Sequence, residues 1–149
     1  ALQEETSPES DALRKMLLAT LLLELKDLCR RQQEQGGENG RVSNHIVDQI
    51  QAYIAEHYAD ADINIATIAR HIGISEGHLS HVFKKETNYT ALGYLTQYRI
   101  HTARKLLRDC RYKVYEVAEM VGYRDVAYFG STFKKLTGMS PSEYQDRCR

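Results

Sequence analysis

The feature that most constrains this chain is an internal repeat. The stretch INIATIARHIGISEGHLSHVFKKET, from Ile63, and the stretch YKVYEVAEMVGYRDVAYFGSTFKKLTG, from Tyr112, carry one pattern of apolar, small and basic residues. Ile65, Ile68, Ala69, Ile72 and Gly73 match Val114, Val117, Ala118, Val121 and Gly122, each 49 positions on. Leu79, Phe83, Lys84, Lys85 and Thr87 match Phe129, Phe133, Lys134, Lys135 and Thr137, each 50 positions on, so one residue is inserted in the second turn. Between the copies runs Ala91–Asp109, ALGYLTQYRIHTARKLLRD, with no Pro and a single Gly near its start. Its apolar residues, Leu92, Leu95, Ile100, Ala103, Leu106 and Leu107, fall mostly three and four apart, the spacing of a helix with one buried face. At about 1.5 Å per residue it spans roughly 28 Å. It reads as a spacer holding two similar units at a set distance.

Each copy reads as two short helices joined by a tight turn. Ala69 or Ala118 lets the helices cross closely, Gly73 or Gly122 allows the sharp turn, and Ile74 or Tyr123 plugs the corner. A capped helix follows, with Leu79 and Phe83, or Phe129 and Phe133, pointing inward. This is the helix-turn-helix layout, whose second helix keeps a free face able to enter a major groove. A pair on a stiff rod is a sharper signal than one alone, because the groove repeat of about 34 Å is of the order of the spacer's length. Two recognition helices would then sit in successive major grooves.

The rest of the chain divides in front of this pair. Residues 1–9 are polar and read as a frayed end. Ser10 or Asp11 caps a helix to about Gln33, with Leu13, Met16, Leu17, Leu21, Leu25 and Leu28 in its stripe and Leu18, Leu22 and Leu23 widening it. A face so broad calls for a cover: the rest of the chain, a second copy, or a further domain. The abrupt opening on ALQEETSPES reads as part of a longer protein. Gln35–Arg41, QGGENGR, is the best linker, setting residues 1–40 apart from 41–149. Ser43 or Asn44 then caps a helix to about His57, striped by Ile46, Val47, Ile50, Tyr53 and Ile54, and Tyr58–Asp62 turns. Asn64, Ser75 and Asp125 cap helices within the two units, about 65–86 and 114–137, and Ser140 with Pro141 opens a last helix through Tyr144. The expected fold class is all-α: two helix-turn-helix subdomains joined by a long linking helix, about 91–109, plus an N-terminal amphipathic helix.

These residues look like the DNA-binding domain of the AraC/XylS family of bacterial transcription regulators. EVAEMVGYRDVAYFGSTFKKLTGMSPSEY resembles that family's most diagnostic stretch. YLTQYRIHTARKLL resembles its linking helix, with Arg99, Ala103, Leu106 and Leu107 in matching places, and the likeness covers about residues 44–147. The resemblance implies homeodomain-like helical bundles and a sequence-specific regulator of transcription, an activator, bound to double-stranded DNA with RNA polymerase as a partner. It also implies an N-terminal effector or dimerisation domain closed by helix 11–33, through which a small-molecule effector or self-association would act.

The base-facing surface is Gly77, His78, Ser80 and His81 on the first recognition helix, and Val126, Ala127, Gly130 and Ser131 on the second. Relatives often present Arg, Gln or Trp there. Nothing in the second set can make a bidentate hydrogen bond to guanine or adenine, although it suits thymine methyls or close approach to the backbone. The first unit is therefore expected to supply most base discrimination, through His78 and His81, and the second mainly to clamp phosphate. The phosphate candidates are Ser75, Lys84, Lys85, Arg124, Lys134 and Lys135, although lysines at a helix end also simply favour the dipole. Arg104, Lys105, Arg108, Arg111 and Lys113 either extend this basic stripe or are ordinary surface charge. Tyr128 belongs to the core or to the interface. Gln145 stands where the family's closing motif carries Arg, which weakens a phosphate contact there.

Charge and motifs exclude other classes. The net charge is zero, but residues 1–40 carry −3 and residues 41–149 carry +3, a balance that suits a polyanion partner without demanding one. No apolar run reaches the roughly 18 residues of a membrane span, and no secretory signal opens the chain. Cys29, Cys110 and Cys148 are far apart and lack a CxxC pairing, so they read as buried or idle thiols in a reducing cytoplasm. His78 and His81 are three apart on a helix, a spacing metal sites use, but no Cys or carboxylate completes a site, and no metal or cofactor is expected. Facing DNA, they would strengthen binding on protonation near pH 6–7. There is no Gly-rich phosphate loop, no GxSxG and no HExxH, so no enzyme is expected. The rival reading is a helical protein-interaction or effector-sensing module with weak or lost DNA binding, suggested by the poor second recognition face.

Overall fold

The computed structural model describes residues 15–26 and 38–149. It divides into two units, Ala1–Glu38 and Asn39–Arg149. In the first, a helix over 15–26 (α1) leaves Leu17, Leu18, Leu21, Leu22, Leu23 and Leu25 exposed. The expected cap at Ser10 or Asp11, the helix end near Gln33, Leu13, Leu28, Cys29 and the linker's first residues, 35–37, lie outside the described residues.

The remaining helices are α2 (Glu38–His57), α3 (Ile65–Ile72), α4 (Glu76–Thr87), α5 (Ala91–Leu107), α6 (Val114–Met120), α7 (Val126–Thr137) and α8 (Pro141–Arg147). The fold is all-α. Boundaries differ from the sequence reading in places: α5 ends at Leu107 rather than about 109, and α2 starts at Glu38, not behind a cap at Ser43 or Asn44, so the end of the expected linker is helical. A glycine inside a helix costs about 1 kcal/mol relative to alanine. Each fully buried Ile contributes about 1.5–3 kcal/mol, and Ile50 and Ile54 on the same helix are fully buried. The apolar stripe therefore outweighs Gly40. The last helix likewise runs past Tyr144 to Arg147.

Two hydrophobic cores share α5. The first gathers Ile46, Val47, Ile50 and Ile54 of α2, Ile68 and Ala69 of α3, Leu79, Val82 and Phe83 of α4, and Ala91 and Leu95 from the first half of α5. The second gathers Ile100, Ala103 and Leu107 from the later part of α5, Val117 and Ala118 of α6, Val121, Tyr123, and Phe129 and Phe133 of α7. The spacer is thus part of both cores and joins the two helix-turn-helix subdomains through its buried face. Leu92, placed in the buried stripe by its spacing, is exposed.

The duplication reaches into hydrogen bonding and ring geometry. Ile74 N–H donates to the Ala69 carbonyl (3.1 Å) and Tyr123 N–H to the Ala118 carbonyl (2.9 Å), each closing a helix behind a left-handed glycine, Gly73 at φ 83° and Gly122 at φ 92°. Thr87 Oγ1 donates to the Phe83 carbonyl and Thr137 Oγ1 to the Phe133 carbonyl, both at 2.7 Å. Phe83 meets Tyr94 edge-on at 5.7 Å and 70°; Phe133 meets Tyr144 at 5.6 Å and 69°. The repeat therefore extends beyond the motif, with the start of α5 playing for the first unit the part α8 plays for the second.

Candidate nucleic-acid interface

Local chemistry sets the start of each recognition helix. Ser75 caps α4, its Oγ accepting from His78 N–H at 3.1 Å. Asp125 caps α7, its Oδ1 accepting from the N–H groups of Ala127 (2.9 Å) and Tyr128 (3.1 Å). These bonds satisfy donors that would otherwise be free at a helix N-terminus. On α7 the Asp125 carboxylate also occupies the end where an anion would be attracted.

The faces turned away from the cores are open on both helices. Gly77, His78, Ser80, His81, Lys84 and Lys85 are exposed on α4, and Ser80, His81, Lys84, Lys85 and Asn88 line a shallow open groove. On α7, Val126, Ala127, Ser131, Lys134 and Lys135 are exposed and Gly130 is half-buried. Ser131 Oγ donates to the Tyr128 carbonyl at 3.0 Å, so its proton is turned back into its own helix. Tyr128 is 63% exposed, on the surface rather than in the core. The two faces differ chemically: polar and aromatic-nitrogen groups on α4, apolar groups on α7, with a lysine pair near the end of each.

Several cations of the proposed stripe have other occupations. Arg124 pairs with Asp62 at 2.7 Å, both side chains largely exposed. Arg111 pairs with Asp109 at 2.6 Å, and this bond holds the half-buried Asp109 carboxyl down at about 2. Arg104 is no part of a surface stripe. It is buried with its guanidinium 5.7 Å from the Tyr144 ring centroid, because its position on α5 faces the second core. Arg108 Nε donates to the Tyr144 hydroxyl at 3.3 Å, which raises the guanidinium's pKa. Lys105 is exposed, as is His101 one turn before it. Partial burial, then Lys105, Arg104 and Arg108, push the His101 pKa below its ordinary value. Gln145 is buried and donates from Nε2 to the Tyr112 carbonyl at 2.7 Å, tying α8 to the turn before α6.

Sequence reasoning named Arg99 and Arg124 but not the bonds by which they join the two helix-turn-helix subdomains. Arg99 donates to the backbone carbonyls of Tyr58 and Asp60, and Asp62 receives Arg124. Burial lowers the Arg99 pKa, with Tyr123 and Asp60 acting in the opposite direction. These partners are 39 to 62 residues apart, and no local spacing signals such a bond. Among the described residues, no group of three or more His, Cys, Asp or Glu could hold a metal ion, and no helix is long and apolar enough to cross a membrane.

Residues 68–147 match the family model described as "Helix-turn-helix domain". The chain is 36% identical over 132 residues to the arabinose operon regulatory protein of Escherichia coli strain K12, covering 89% of this chain and 45% of that protein. It spans about half the length of the curated relatives it matches. Among solved structures it resembles the C-terminal domain of AraT, a response regulator from Geobacillus stearothermophilus, with a TM-score of 0.67 and 32% identity over 68% of this chain and 84% of that one. It also resembles the DNA-binding domain of AdpA, a global transcriptional factor solved in complex with a target DNA, with a TM-score of 0.64 and 26% identity over 68% of this chain and 90% of that one. The repeated capped helices and these likenesses agree: the chain belongs to the AraC/XylS family of helix-turn-helix, DNA-binding transcription regulators.

Proposed function

We propose that this chain activates transcription by placing α4 and α7 in successive major grooves of double-stranded DNA. His78, Ser80 and His81, with Gly77 allowing close approach, read bases from α4. Val126, Ala127 and Ser131 seat α7 against thymine methyls or the sugar-phosphate backbone. Ser75, Lys84, Lys85, Arg124, Lys134 and Lys135 hold phosphates. The observation that carries this reading is the pair of exposed helix faces, built by one duplicated unit and each backed by two lysines. The AdpA domain bound to its target DNA supports it by likeness. The working compartment is the cytoplasm and the further partner is RNA polymerase. Residues 1–40 belong to an effector or dimerisation domain, which receives a small molecule or a second copy.

A mobility-shift titration with a duplex selected from a random pool by binding to the chain, followed by transcription with purified RNA polymerase, tests this. Affinity falls steeply with salt as phosphate-bound counterions are displaced, and transcript rises with bound protein. Failure to shift any duplex from a random pool overturns the reading. A specific observation keeps one rival in view: α7 presents Val126 and Tyr128 to solvent beside Ala127, an apolar strip that also suits a protein partner. Failure to shift DNA would favour that module.

A further inference from the structure

Three segments far apart in sequence meet at the seam between the two helix-turn-helix units. Arg99, midway along α5, donates from Nε to the Tyr58 carbonyl at 2.8 Å and from Nη2 to the Asp60 carbonyl at 2.7 Å. Its guanidinium lies 5.4 Å from the centroid of the Tyr123 ring. Tyr58 and Asp60 belong to the turn between α2 and α3, in the first unit. Tyr123 belongs to the turn between α6 and α7, in the second. Gly122 is pressed into the same place: a Cβ there would stand 2.6 Å from the Tyr58 carbonyl oxygen and 2.9 Å from Arg99 Nη2. Tyr58 packs against both cores.

The one difference in length between the two copies falls at this seam. The first turn runs Gly73, Ile74, Ser75; the second runs Gly122, Tyr123, Arg124, Asp125. The additional residue places Arg124 where it reaches Asp62 of the first unit at 2.7 Å. A guanidinium is a rigid planar fork, so two carbonyls and a ring face together fix both its position and its plane, whereas an ammonium is a point charge on a flexible stem.

We propose that Arg99 is a positioning residue for DNA recognition: it locks the 58–62 turn of the first unit to the 122–124 turn of the second, and so sets the angle and separation between α4 and α7. This rests on the reading that the two helices enter successive grooves. One added base pair moves the second groove by about 3.4 Å and turns it by about 35°. A locked pair of helices rejects that change, and a loosened pair follows it.

The test uses the full chain, with Arg99→Ala and Arg99→Lys, on its selected duplex, on duplexes with one base pair added or removed between the contacted blocks, and on a duplex holding one block. The unaltered protein should lose about tenfold or more in affinity on either change of spacing, as for a misplaced block. In both variants most of that spacing preference should vanish while single-block affinity is unchanged. The proposal is overturned if the variants keep the full preference, or if they weaken every duplex equally, the single block included. Should Arg99→Ala fail to fold, Arg99→Lys, which keeps charge and stem, carries the comparison. If the unaltered protein shows no spacing preference, the successive-groove reading fails, and the clamp is judged without DNA. Spin labels on Glu76→Cys and Val126→Cys, with the three native cysteines replaced, then report the distance between α4 and α7. A narrow distribution that broadens in Arg99→Lys upholds the clamp, and an unchanged width overturns it.

Discussion

Gly122 lies against Tyr58 so closely that a Cβ there would stand 2.6 Å from the Tyr58 carbonyl oxygen. Gly73, its counterpart in the first unit, has a similar left-handed backbone, φ 83° against 92°, but nothing within 4 Å of where its Cβ would be. Gly73→Ala therefore meets only the left-handed penalty of about 1–2 kcal/mol. Gly122→Ala adds overpacking against backbone, about 1–3 kcal/mol more. Urea denaturation of the two variants measures the difference, and equal losses would contradict the close approach.

Gln145 offers a second stability test. Its side chain is buried and donates to the Tyr112 carbonyl. Gln145→Leu leaves that carbonyl without this donor and should destabilise the chain by about 1–3 kcal/mol. Because the group faces inward, DNA affinity per folded molecule should be unchanged. A drop in affinity with stability intact would show instead that the position touches phosphate.

His101 should make stability depend on pH. Its folded pKa is lowered from 6.5, by desolvation first and then by Lys105, Arg104 and Arg108. The neutral form is thus favoured in the folded state. Its contribution is fully present above about pH 6.5 and is lost as pH falls through the lower folded value. An NMR titration should place the His101 midpoint below 6.5, and His101→Gln should soften the loss of stability on acidification. A midpoint above 6.5 would show that the three cations do not act on the ring as their placement requires.

Base discrimination should be unequal between the units. His81→Ala is expected to lower discrimination between the selected site and unrelated duplex by about 1–3 kcal/mol. Ser131→Ala should change it little, since that hydroxyl is bonded to the Tyr128 carbonyl. Titrations of both variants against both duplexes compare them directly, and a larger loss at Ser131 would reverse the assigned order.

Much of this architecture was legible because its signals are local. The caps at Asn64, Ser75, Asp125 and Ser140 are the residues whose short polar side chains reach their own helix N–H groups. The glycines that end α3 and α7 sit where left-handed backbone is needed. What escaped was set by distant contacts. Leu92 shares a spacing with Leu95 yet is exposed, because the first core takes Ala91 and Leu95 from that turn of α5. Arg104 looks like surface charge in sequence and is buried, because the second half of α5 serves a different core. The open faces of α4 and α7 were readable as exposed positions of a repeated helix. The bonds of Arg99 and Arg124 were not, since their partners lie in another unit.

The most direct measurement of the central claim is selection of bound sites from a random duplex library, followed by footprinting of the enriched duplex. Two helices in successive grooves should enrich two blocks about 10–10.5 base pairs apart, centre to centre, protected on one face of the duplex. A single enriched block, or two blocks with no fixed spacing, would contradict it.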